Sequence, residues 1–113
     1  MNVRSIVTSL DLEVAAGTEG LEKEITGGYA SDLLSWVIVR AKEGNAWVTV
    51  QAHPSTVAVA NLLDLSCVII TEGARPDDQT LERASEKGIP VLLSLENTFT
   101  VVGKLAKLGI GDN

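Results

Sequence analysis

Three short segments hold the residue types that could do chemistry. Thr49-Val50-Gln51-Ala52-His53-Pro54-Ser55 leads from a β-branched run into a Pro-Ser helix start, whose free N–H groups could receive an anion. Its polar Thr49, Gln51 and His53 alternate, as residues on one side of a strand do. In Thr71-Glu72-Gly73-Ala74-Arg75-Pro76-Asp77, Gly73 could take positive φ or admit a ligand close to the backbone, and Arg75 offers a planar fork for phosphate or carboxylate. In Gly27-Gly28-Tyr29-Ala30-Ser31-Asp32, Gly28 permits tight approach and Asp32 could accept from a ribose hydroxyl or a helix amide. Each segment also has a plain structural account. Thr49 can be an ordinary strand residue, Gln51 solvated, and His53-Pro54-Ser55 a strand stop and helix start. Arg75 can pair with Asp77 or Asp78, and Asp32 can cap a helix. The residues alone leave both accounts open.

Other chemistry is missing. No G-x-x-x-x-G-K-[ST] loop is present to cradle a triphosphate, no G-x-G-x-x-G, and no G-x-S-x-G elbow. One histidine and one cysteine supply no His/Cys cluster, and no EF-hand spacing occurs, so neither a metal nor a cofactor is expected. The chain reads as a binder and not an enzyme.

The elements that must position these segments follow from periodicity. Val3, Ile6, Val7 and Leu10 make a helical stripe behind an Asn2 cap. Leu12 to Ala16 and Glu24 to Tyr29 read as strands around the turn Gly17 to Gly20, and Ser31 or Asp32 can cap a helix that ends towards Gly44. From Ala46 onward strands at Trp47 to Val50, Cys67 to Thr71 and Val91 to Leu93 alternate with helices at Ser55 to Leu63, Asp78 to Lys87 and Thr98 to Leu108. Ser55 or Thr56, Asp77, and Asn97 or Thr98 are the expected caps, with Gly88-Ile89 and Gly109-Ile110 as Schellman endings. The expectation is a single α/β domain over 1–113, a mainly parallel sheet of about five strands with helices packed on its faces. Only the tail 111–113 should fray.

Two helices are apolar nearly all round, at Leu33 to Val39 and Val57 to Leu63. Either they are covered within the monomer or they form a self-association surface, and a homodimer is the favoured expectation. Trp36, Trp47 and Cys67 read as packing residues. By surface scaling, 113 residues bury about 65% of their unfolded surface, enough for a core without staples. Nine cations, singly scattered, against 15 carboxylates leave a net charge of -6, which disfavours nucleic acid and anionic membranes. One cysteine excludes an intramolecular disulfide, and the first residues lack a signal-peptide apolar stretch, so a cytoplasmic location is expected.

Four ordered blocks, GGYASDLLS at 27–35, WVTVQAHPSTVAVA at 47–60, CVIITEGARPDD at 67–78 and GIPVLLS at 88–94, together resemble the DRTGG domain family. Domains of that family occur beside phosphotransacetylase domains and CBS-domain pairs, as single-domain copies in anaerobic bacteria, and in similar form at the N-terminus of HPr kinase/phosphorylase. The resemblance implies a non-enzymatic regulatory or sensor domain binding a small anionic metabolite or a nucleotide, or, alternatively, a protein-interaction module without a ligand. It carries location only, onto Asp32, Thr71, Gly73 and Arg75. With the strand-end reading, the expected ligand-binding set is Gly28, Asp32, Thr49, Gln51, His53, Ser55, Thr71, Gly73 and Arg75.

Overall fold

The computed structural model describes residues 1–111. The elements run α1 (Val3–Leu10), β1 (Glu13–Ala16), a 3₁₀ turn (Thr18–Gly20), β2 (Gly27–Ala30), α2 (Leu34–Arg40), β3 (Asn45–Thr49), α3 (Pro54–Leu62), β4 (Cys67–Ile70), α4 (Asp78–Lys87), β5 (Val91–Leu93) and α5 (Thr98–Lys107). One five-stranded sheet has the order β1-β5-β4-β3-β2. Strands β2 to β5 are parallel, and β1 joins β5 antiparallel with Glu13 opposite Leu93. The sheet is therefore mixed, with its one reversal at the β1 edge.

Alternation along the strands builds two cores. Trp47, Val68, Ile70, Val91 and Leu93 turn to one face, where Val37, Val57, Ala60 and Ala84 of α2, α3 and α4 cover them. Ala46, Val48, Cys67, Ile69 and Leu92 turn to the other, under Ile6 of α1 and Val101 and Leu105 of α5. The central strands are buried on both faces, which is why Cys67 to Ile70 is a continuous apolar run. Burial pushes the Cys67 thiol up to about 12 against the weaker pull of the Lys23 charge. An alkylating reagent at pH 8 is therefore expected to label Cys67 only after denaturation; rapid labelling of the folded protein would show that this strand opens.

Most element signals hold. Asn2, Asp77 and Asn97 cap α1, α4 and α5 through the backbone N–H groups of Ser5, Thr80 and Thr100. Gly88 ends α4 in the left-handed region, with the Ile89 N–H returning to the Ala84 carbonyl at 2.9 Å. Of the tail expected to fray, the Gly111 carbonyl accepts from the Gly28 N–H at 2.6 Å, and Asp112 and Asn113 lie outside the described residues.

Several elements differ from what their local sequence suggests. Strand β2 starts at Gly27, and Glu24 makes only an isolated bridge to Asn2. Neither Ser31 nor Asp32 caps α2; Leu33 holds that position and Ser31 Oγ only accepts from the Leu33 N–H. Helix α3 begins with Pro54 behind His53, since proline's fixed φ suits the first helical position and its missing N–H is one the helix would leave unpaired there, and no side chain caps it. Trp36 is no packing residue: it is 45% exposed, with the Arg40 guanidinium 4.0 Å above its ring. Trp47, by contrast, is fully buried, its indole N–H donating to the Ser31 carbonyl at 2.9 Å.

Candidate functional site

The carboxyl ends of four parallel strands meet along one rim. The chain leaves β4 towards α4 on one face of the sheet but leaves β5 towards α5 on the other. Neighbouring loops that part to opposite faces open a crevice, and in open α/β sheets ligands sit in such crevices. Here it is a cleft of about 380 Å³ lined from β4 by Gly73, Ala74 and Arg75, from β5 by Leu93 to Glu96, from the α1–β1 junction by Leu10, Asp11 and Glu13, and from α5 by Lys104.

The β4 turn shapes one wall. Glu72 and Gly73 both have positive φ, 64° and 73°, closing a tight turn in which the Ala74 N–H donates to the Thr71 carbonyl at 3.1 Å. The Glu72 and Gly73 N–H groups cross to the Glu96 and Ser94 carbonyls at 2.8 and 3.0 Å. Gly73 thus needs the left-handed region, and a Cβ there would meet only Leu95 Cδ2 at 3.7 Å. The Glu72 carboxylate accepts from the Thr98 N–H at 2.8 Å, and the Thr71 and Thr98 hydroxyls pair at 2.6 Å. The start of α5 is thereby filled by the protein's own carboxylate.

Arg75 leans from β4 across β5 to the far edge strand. Its two terminal nitrogens donate to the two Glu13 oxygens at 3.3 and 3.1 Å, a fork on a carboxylate. Asp77 and Asp78 are not its partners: Asp77 is engaged as a cap, and the Thr80 N–H and hydroxyl hold its carboxyl below the usual range. The hydrogen bond and charge of Arg75 likewise lower Glu13, while Glu13 raises Arg75. A second cation, Lys104, lies 2.6 Å from Glu96 Oε1.

The expected site residues therefore fall into separate groups. Gly73 and Arg75 line the cleft, whereas Thr71 is fully buried and does not line it. Asp32, Thr49 and Gln51 form a different cluster at the ends of β2 and β3. Asp32 Oδ1 accepts from the Thr49 hydroxyl and the Val50 N–H, both at 2.8 Å, and Gln51 Nε2 donates to the Asp32 carbonyl at 3.0 Å. Thr49, Gln51 and His53 do not share a polar face, because β3 ends at Thr49, which is fully buried, and the chain turns there. His53 and Ser55 are exposed at the start of α3. Gly28 lies apart, between β3 and the Ile110–Gly111 segment. Asp11, Glu13, Glu96 and Lys104 were not anticipated from the sequence; nothing in the order of residues announces that α5 and β1 converge on the β4 loop. Among the described residues every buried side-chain nitrogen or oxygen has a partner, no group of three metal-ligating residues occurs, and no helix is long and apolar enough to cross a membrane.

The DRTGG domain family matches residues 5–108. No curated protein sequence matches the chain. A solved structure of the CBS and DRTGG domains of the regulatory region of Clostridium perfringens pyrophosphatase, complexed with its activator diadenosine tetraphosphate, superposes with a TM-score of 0.77 at 19% identity, over 92% of this chain and 45% of that one. At that identity the likeness speaks for the fold, and this chain spans less than half of the region compared. Because the family match runs from α1 through all five strands into α5, the chain belongs to the DRTGG domain family.

Proposed function

We propose that this domain is a non-enzymatic regulatory module that takes a small ligand bearing an anionic group, a metabolite or a nucleotide, in the β4–β5–β1 cleft. The carrying observation is the Arg75 fork: at the crevice between diverging loops, a guanidinium already grips a carboxylate, that of Glu13, in the geometry a ligand's anionic group would take. Support for a regulatory role comes from the fold likeness to a regulatory region whose structure holds a dinucleotide activator. The non-enzymatic part is supported by a sequence without a phosphate-cradling loop or nucleophile elbow. A thermal-shift panel of nucleotides and carboxylated or phosphorylated metabolites is expected to raise the melting temperature for at least one compound. A flat response across the panel would favour the protein-interaction reading.

A homodimer is part of the same reading. Helix α2 buries only Val37 and leaves Trp36 at 45%, Ile38 at 44% and Val39 at 79% exposure, with its cap residue Leu33 at 53%. An apolar surface of this kind is what a self-complementary interface covers. Sedimentation equilibrium at micromolar concentration is expected to give about twice 11.9 kDa, falling to the monomer in Val39→Glu. A wild-type monomer would remove the dimer.

A further inference from the structure

The cleft carries both signs of charge. Arg75 and Lys104 stand against Asp11, Glu13 and Glu96, and of these five only Asp11 has no ion-pair partner among the described residues. A purely anionic ligand taking Arg75 would strand Glu13 beside its own negative charge, in a chain whose net charge is already -6. Like charges brought together repel, and a purely anionic ligand would also have to displace Glu13 from the guanidinium. A ligand with an ammonium group beside its anionic group avoids that repulsion: inserted between Arg75 and Glu13, it turns one ion pair into two and strands nothing. Leu10, Leu93 and Leu95 supply an apolar wall to the same cleft, and about 380 Å³ is at the small end of ligand pockets.

Resting on the reading of this cleft as the ligand site, we propose that its ligand is zwitterionic, a small amino acid-like molecule with its carboxylate on Arg75, its ammonium on Glu13 and Asp11, and its side chain against Leu10, Leu93 and Leu95. Glu13 is then a ligand-binding residue, released from Arg75 only to take the ligand's ammonium.

Calorimetric titration tests this with L-alanine, L-leucine and L-phenylalanine, with 4-methylpentanoate and 3-methylbutylamine (leucine without its amine and without its carboxylate), and with ADP as the purely anionic probe. Wild type is expected to bind one amino acid at least about tenfold more tightly than any single-charge probe. Glu13→Gln should weaken that amino acid about tenfold while leaving 4-methylpentanoate unchanged or tighter, since the glutamine no longer competes for Arg75. If Glu13 merely propped Arg75 in place, the same change would weaken both probes, and the proposal would fall. ADP or 4-methylpentanoate binding more tightly than every amino acid, with loss in Arg75→Ala, would overturn the zwitterion and keep the cleft. No binding of any probe to wild type would overturn both.

Discussion

Replacing Arg75 with alanine is expected to weaken the ligand about ten- to a hundredfold while the ligand-free melting temperature barely moves. Removing a charge-assisted hydrogen bond has that order of effect on affinity, and this guanidinium must offset the field of a chain with net charge -6. Its ion pair with Glu13 lies open to solvent, with side-chain exposures of 64% and 55%, where water and salt screen it. Arg75 holds Glu13 below the ordinary carboxylate range. The pairing is thus complete above the unfolded carboxylate pKa and is lost only as the pH falls through the lowered folded one, so neutral buffers report it intact. The measurement is a paired titration of the best thermal-shift hit into wild type and variant, with melting curves of both. Equal affinities would take Arg75 out of the site, and a large drop in ligand-free stability would make it a structural strut.

Gly17→Ala should be among the most damaging substitutions in the chain, costing roughly 3 kcal/mol or more of a total that is about 5–15 kcal/mol for domains of this kind. Gly17 sits at φ 74°, and a Cβ built there falls 2.0 Å from the Ile89 carbonyl oxygen and 2.6 Å from the Pro90 nitrogen. Both penalties, left-handed backbone and collision with backbone that leads into β5, act at once, and no side chain can swing aside. Gly103 provides the contrast: it lies within α5, and a Cβ there meets nothing within 4 Å. Gly103→Ala should therefore gain about 0.5–1 kcal/mol through helix propensity. Urea denaturation of the two variants beside wild type checks both signs. A Gly17→Ala protein within about 1 kcal/mol of wild type would mean that the β1–β5 corner yields more easily than its geometry implies.

The strands and most helix ends were legible because local and global requirements agree there. Cys67 to Ile70 is apolar throughout since both its faces are covered, and Asn2, Asp77 and Asn97 each stand one residue before a helix they cap. Trp36 misled because an apolar helix is the same string whether it is sandwiched or left open on one side. The candidate site was half legible. Gly73 and Arg75 are recognisable from turn chemistry and the guanidinium fork. Their companions are not, because the identity of Glu13 and Lys104 as neighbours depends on α5 crossing to the face opposite α4 and on β1 returning antiparallel beside β5. Asp32 shows the same limit: it stands where a cap would stand but reaches the Thr49 hydroxyl on the next strand. Nothing in local spacing separates those two uses of a carboxylate.

Strand β1 holds its place through partners that lie at the other end of the chain, with residue 13 set against residue 93. Contacts so distant in sequence carry a loop-closure cost that grows slowly with length, and they raise the contact order of the fold. Strand β1 thus forms the edge of a sheet whose other four strands lie in sequence order. Glu13 rides on β1 and Arg75 on the loop after β4, so their ion pair joins this edge to the later part of the chain. A ligand that engaged Arg75 and Glu13 together would add its binding free energy to the docking of β1 against β5.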